Sequence, residues 1–259
     1  MEHSLPSPWQ RPGGLSSSAL KLLAAGLMVV DHLAHGWVLK VPWGIDVGQV
    51  GHILSNEGGL FWGSLMVLLG RAAFPIFCFF AVQGALLTRS PKKMLLRLLI
   101  FALISEPAFD LLFFDGLTGA AWGHQNVLFT LLMGAWGIFS AEKISARVKD
   151  PLATVLLQLA VFVSLAMLAQ LARVDYGAHG IYAMYLFYMG RDSRRTTFIL
   201  GLLAFLFEAQ LYGTVYLGLL LIMLYNGRRG QLPKYFFYAF YPGHLLLLYL
   251  LRWVLTHPL

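Results

Sequence analysis

LFWGSLMVLLGRAAFPIFCFFAVQGALLT, residues 60–88, carries one charged side chain, Arg71, in twenty-nine residues. A helix needs roughly 20 apolar residues to cross a hydrocarbon core, so this run can span a bilayer and is too long for one straight span. Gly70-Arg71 and the following Pro75 predict a break into a short outer helix and a true span, because proline removes a backbone donor and crowds the preceding turn. Further apolar runs fall near 18–39, 94–114, 124–141, 152–172, 179–190, 197–211, 213–226 and 235–255. The fold class read from them is all-α, a polytopic integral membrane helical bundle of about nine transmembrane helices.

Composition agrees. Of 259 residues, 58% are hydrophobic and 12% charged, with mean hydropathy +0.69. Soluble domains run about 45–50% apolar and about 25% charged, so a water-soluble globule is excluded, and the spans leave no room for an extramembrane domain of ordinary size. Residues 1–17, polar and rich in Pro, Ser and Gly, read as a flexible tail, and 18–259 as a single transmembrane domain. The net charge of +7 would suit nucleic acid, but the basic residues cluster between apolar runs as positive-inside topology requires, and no nucleic-acid partner is expected. Fifteen of the nineteen Lys and Arg fall in one set of alternate loops, and Lys40, Arg173 and Arg252 in the other. This predicts a cytoplasmic amino terminus and an extracytoplasmic carboxyl terminus. The single cysteine, Cys78, excludes an intramolecular disulfide and a multi-cysteine metal site.

Charged residues inside spans cost about 2.5–3.5 kcal/mol each on insertion scales. Asp31, Arg71, Glu106, Asp110 and Glu208 lie in the runs, with His32, His35 and His244 beside them and His124 and His179 at run edges. Such a load demands pairing or a watery cavity. Asp31 and His32 sit about 20 Å into the first run at 1.5 Å per residue. Glu106 and Asp110 occupy a similar depth, and Gln125, Asn126 and Asp175 flank helices on the same outer side. One pocket in the outer half of the membrane is therefore expected. Glu106 and Asp110, four apart, share a helical face. His35 and Asp46, near a span end, read as solvated interface residues. Glu106-Pro107 and Tyr241-Pro242 place prolines beside these polar groups, where a freed carbonyl and a kink can shape a cavity. No HExxH-type run supports a metal, and none is expected.

LKLLAAGLMVVDHLAH (20–35), GRAAFPIFCFFAVQGALLTRS (70–90), RLLIFALISEPAFD (97–110), NVLFTLLMG (126–134), DYGAHGI (175–181) and YFFYAFYPGHLLLLYLL (235–251) together resemble the TraX family, collinearly over nearly the whole chain after the tail. The resemblance implies N-acetylation of pilin subunits with acetyl-CoA as donor. More widely it implies a transmembrane acyltransferase domain over 18–259 that carries an acyl group from cytosolic acyl-CoA to an acceptor across the bilayer, in a bacterial inner membrane. The family's polar positions fall here on Asp31, His32, Arg71, Glu106, Asp110, Asn126, Thr130, Asp175 and His244.

Amine acetylation needs a base for the ammonium proton and a donor to the thioester oxygen. His32 is the expected general base, tuned by Asp31, with His244 the second candidate for that role or the acid for the departing thiolate. Arg71 and Asn126 are candidates for polarising the carbonyl. Glu106, Asp110 and Asp175 would hold a cationic peptide or pilin acceptor, with Thr130, His179 and Tyr241 lining the same pocket. Arg89, Lys93, Arg97 and Arg194 would meet the donor's phosphates. Two other classes remain open: a proton-coupled transporter using the same Asp/Glu/His cluster, against which the lack of an internal repeat counts, and a non-catalytic assembly factor.

Overall fold

The computed structural model describes residues 8–38, 59–117, 123–206, 213–233 and 235–257. Lys40, Asp46, Glu208 and Lys234, for which the sequence raised expectations, lie outside the described residues. Helix α1, Ser17–Leu33, starts where the Ser16 hydroxyl accepts from Ala19 N–H at 3.3 Å, and it runs on into a π-helical turn, Ala34–Val38. The 60–88 run is two helices, α2 (Gly59–Gly70) and α3 (Ala73–Leu87), broken at Arg71-Ala72 as the glycine and proline predict. Helix α4, Pro91–Phe114, opens on a proline, whose missing N–H belongs to the donors that a first turn leaves unused. Then come α5 (Val127–Arg147, capped by Asn126), α6 (Pro151–Leu171, capped by Asp150), α7 (Gly177–Met189) and α8 (Arg194–Ala204, capped by Ser193). Helices α9 (Val215–Met223) and α10 (Phe236–Thr256) complete the bundle. Pro107 and Pro242 sit within α4 and α10 without ending them.

Among the described residues there is no strand, only two isolated bridges, Leu15 with Tyr225 and Gln125 with Val174. Four stretches there are long and apolar enough to cross a membrane: Ser17–Gly36, Phe61–Leu87, Val127–Arg147 and Pro151–Leu171. Helix α4 has the length, with 24 residues, but carries Lys92, Lys93, Arg97, Glu106 and Asp110. Helices α7, α8 and α9 have 13, 11 and 9 residues. At 1.5 Å per residue these reach about 20, 16 and 14 Å, part of the way through a core of about 30 Å.

Helix α3 lies at the centre, packed against α1, α5, α7 and α9, and it buries Phe74, Ile76, Phe79 and Phe80. Close approach depends on small residues: a Cβ on Gly218 of α9 would land on the Ala72 carbonyl, and one on Gly134 of α5 on the Met184 thioether. The outer surface is apolar. Leu152, Leu156, Met167 and Leu171 of α6 are all exposed, an arrangement suited to lipid, where helices satisfy their own backbone groups. The protein is a helical membrane protein.

Of the residues read as a polar tail, those from Pro8 onward are described and lie on the bundle. Trp9 is 1% exposed. Its ring meets Phe79 at 4.8 Å and Tyr225 at 5.9 Å. Leu15 N–H donates to Leu224 O at 2.8 Å, and Asn226 N–H donates to Leu15 O at 3.0 Å.

Candidate functional site

Helices α1 and α10 bring together two histidines 212 residues apart, His32 and His244, with Nδ1 of the first 2.8 Å from Nε2 of the second. His244 Nδ1 lies 2.9 Å from the Phe240 carbonyl oxygen. A carbonyl can only accept, so in the neutral pair His244 carries its proton on Nδ1 and presents a lone pair at Nε2. His32 then donates from Nδ1, and its own lone pair is on Nε2. The two rings are nearly parallel, 14° apart, and both are buried. Tyr241, also buried, stands edge-on to both, with centroids at 6.4 and 5.5 Å.

His32 opens onto a cavity of about 40 Å³ that Asp31, Gly70, Phe74, Asp175 and Tyr176 also line. That is room for a water or two. A Cβ on Gly70 would overlap the Asp31 side chain, so glycine at the end of α2 lets that helix close over the carboxylate. Arg71, the next residue, is near enough for its charge to act on His32 and His35. A wider cavity of about 370 Å³ adjoins, lined by Gly123, His124, Gln170, Arg173 and Gly177. Tyr176 lines both cavities and stacks on Phe74 at 3.4 Å. The turn that carries it is strained: Arg173, Tyr176 and Gly177 have φ of 53°, 60° and 42°, and such backbone for a non-glycine residue costs about 1–3 kcal/mol. The turn is pinned to the start of α5 by Gln125 N–H to Arg173 O at 2.9 Å and Asp175 N–H to Gln125 O at 2.8 Å.

The carboxylates arrive from α4 and this turn. Glu106 accepts from the Asn126 side-chain amide and, at 3.2 Å, from its backbone N–H. Asn126 gives its other amide hydrogen to Ala102 O at 2.9 Å and accepts from Leu128 N–H at 3.0 Å. With both hydrogens committed, Asn126 holds Glu106 and caps α5, and has none left for a substrate carbonyl. Asp175 accepts from Tyr176 N–H at 3.0 Å and pairs with His124 Nε2 at 3.5 Å, while its backbone carbonyl takes the Thr130 hydroxyl. Glu106 Oε1 and Asp110 Oδ1 are buried, and neither has a hydrogen-bond partner among the described residues. A buried acceptor left so costs about 1–3 kcal/mol.

Other expected positions stand further off. His179 packs against Phe205 at 5.5 Å, and Phe205 against Phe74 at 6.1 Å, one ring removed from the cavity. Arg89 and Lys93 are exposed and Arg97 half-buried. Arg97 is nine residues before Glu106 on α4, about 14 Å along the axis, and Arg194 begins α8. His35, expected to be solvated, is instead 3% exposed: the π-helical turn that carries it is covered by α2, α4 and α10. Arg252, counted with the outer loops, is buried and joins three segments. It donates to Gly36 O and Leu112 O at 2.9 Å and to Leu111 O at 3.0 Å, and pairs with Asp115. Gly70 was read from the sequence only as part of a helix break, and Tyr176 was not singled out, since a close crossing and a left-handed turn leave no compositional trace. Among the described residues no group of three or more His, Cys, Asp or Glu is placed to hold a metal ion.

A family model described as "TraX protein" matches residues 16–252. This chain is similar to the "Probable fimbrial assembly protein FimC, serogroup H1" of Dichelobacter nodosus, 28% identical over 257 residues that cover 90% of this chain and 94% of that one. No solved structure matches it.

Proposed function

The chain belongs to the TraX family, and we propose that it is a membrane-embedded acyltransferase moving the acyl group of a cytosolic acyl-CoA, acetyl-CoA first among them, to an amine in the outer half of a bacterial inner membrane. The observation that carries this reading is the hydrogen-bonded series from His32 through His244 to the Phe240 carbonyl, in which His32 also lines the cavity. A relative named for fimbrial assembly supports the amino terminus of a pilin, or of another exported peptide, as acceptor.

An amine arriving as ammonium would be held by the unmet oxygens of Glu106 and Asp110. The ammonium gives its first proton to the carboxylate that holds it, from which it passes to water, and the neutral nitrogen then attacks the thioester carbonyl, forming the C–N bond. His32 Nε2 takes the second proton as the C–S bond breaks, and returns it to the departing thiolate, so that amide and free thiol leave in balance. Arg71 is the candidate for stabilising charge on the carbonyl oxygen. The 370 Å³ cavity beside Tyr176 would admit the acceptor, and Tyr176 and Phe74 would have to part for it to reach His32.

The test uses the full chain in nanodiscs with acetyl-CoA labelled in the acetyl group and a synthetic peptide bearing a free amino terminus. Label should appear on that terminus, and should vanish with His32→Ala or with a peptide already acetylated. A folded protein that labels no amine, and instead moves a solute in response to a proton gradient, would replace this reading with a transporter.

A further inference from the structure

Three cations gather where the lead-in meets the starts of α1 and α8, and none has a carboxylate partner among the described residues. The Arg194 guanidinium lies 4.9 Å from the Trp9 ring centroid and donates to the Tyr225 carbonyl. Arg11 folds back over Gly14, where a Cβ would come 3.0 Å from its Nη2. Lys21 Nζ is 5.0 Å from the Phe80 ring centroid. Trp9 and Phe80 both pack on Tyr225, at 5.9 and 5.2 Å, so the three charges surround one aromatic cluster.

The Nε atoms of Arg11 and Arg194 are both buried without an acceptor. Burial, and then the Arg11 charge, lower the Arg194 pKa from its ordinary value. Like charges held close in a partly buried site repel, and the component that would relieve them is an anion. Planar guanidinium forks suit phosphate oxygens in particular. Glycine is required at position 14 of the strap that places Arg11 on two counts: its φ is +81°, and a Cβ there would strike the Leu224 carbonyl.

We propose that Arg11, Arg194 and Lys21 form a phosphate-ester site, which takes the phosphoadenosine diphosphate portion of the acyl donor. The identity of that donor rests on the acyl-transfer reading above. Phe79, against which Trp9 packs, is five residues along α3 from Phe74 of the cavity, about 8 Å. A donor anchored by its phosphates would therefore extend its acyl end along α3 toward His32. The lead-in is then part of the binding site.

Adenosine 3′,5′-bisphosphate, which has two of the three phosphates and no thioester, is titrated by calorimetry into the full chain in zwitterionic nanodiscs. Saturable binding is expected, weakened roughly tenfold or more by Arg11→Gln or Arg194→Gln, the range for one lost charge-assisted contact. Arg11→Lys, which keeps the charge and loses the fork, should bind with an affinity between those of wild type and Arg11→Gln, and Lys149→Gln, on the loop before α6, should leave it unchanged. Equal affinity in wild type and both glutamine variants overturns the site. So does binding that appears only for phosphatidylglycerol added to the nanodisc, which would make it a lipid-headgroup site. Arginine-dependent bisphosphate binding by a protein that labels no amine would keep the phosphate site and overturn the acyl-transfer reading.

Discussion

Replacing His244 by phenylalanine removes the acceptor that holds His32 in one tautomer while keeping an aromatic ring between α1 and α10. The lost contact is a neutral hydrogen bond of 2.8 Å, and such a bond contributes about 0.5–1.5 kcal/mol net. At 1.36 kcal/mol per decade, the fraction of His32 poised as a base falls by about two- to twelvefold. Removing a general base outright costs about 10²–10⁴ in rate. His32→Ala should therefore be slower than His244→Phe by about eightfold or more in kcat. His244→Gln, whose amide oxygen can still accept from Nδ1, should recover part of the loss. The assay is thiol release from acetyl-CoA in the presence of an acceptor peptide, with folding checked by thermal melting in the same detergent. If His244→Phe proves as inactive as His32→Ala, or more so, the assignment of His32 as base and His244 as its orienting partner is refuted.

Four further outcomes follow. Arg252→Gln should destabilise the fold by about 2–5 kcal/mol, since the Gly36 and Leu112 carbonyls it serves are buried and each orphaned acceptor costs about 1–3 kcal/mol; thermal melts would read this. Asp115→Asn, at the exposed end of the same pair, should cost no more than about 1 kcal/mol. Gly218→Val, which drives side-chain carbons into the Ala72 carbonyl, should lower stability by about 1–3 kcal/mol or more, as overpacking does, and unchanged melting would mean that α9 and α3 can separate freely. Glu106→Gln should raise KM for a cationic acceptor peptide by roughly tenfold and leave the affinity for adenosine 3′,5′-bisphosphate unchanged, because the two sites are at different depths. A lower KM would remove Glu106 from acceptor binding.

Much of this was legible along the chain because it depends on near neighbours. Apolar run length determines that residues 60–88 enter a membrane-type helical bundle, and Gly70, Arg71 and Pro75 locate the break between α2 and α3 to within a residue or two. The expense of burying charge picked out Asp31, His32, Glu106, Asp110 and His244, several of which the bundle brings to one region. What a polar group touches is another matter, since it depends on how helices rotate and cross. Tertiary packing set His32 against His244, and so decided which nitrogen keeps its lone pair. It turned Asn126 from a candidate substrate contact into the holder of Glu106, buried His35 under three helices, and laid Trp9 and Arg11 of a polar lead-in against the core. Hydropathy is summed along a segment and survives without the rest of the chain; a hydrogen bond has a distance and a direction, and these exist only when both partners have been placed.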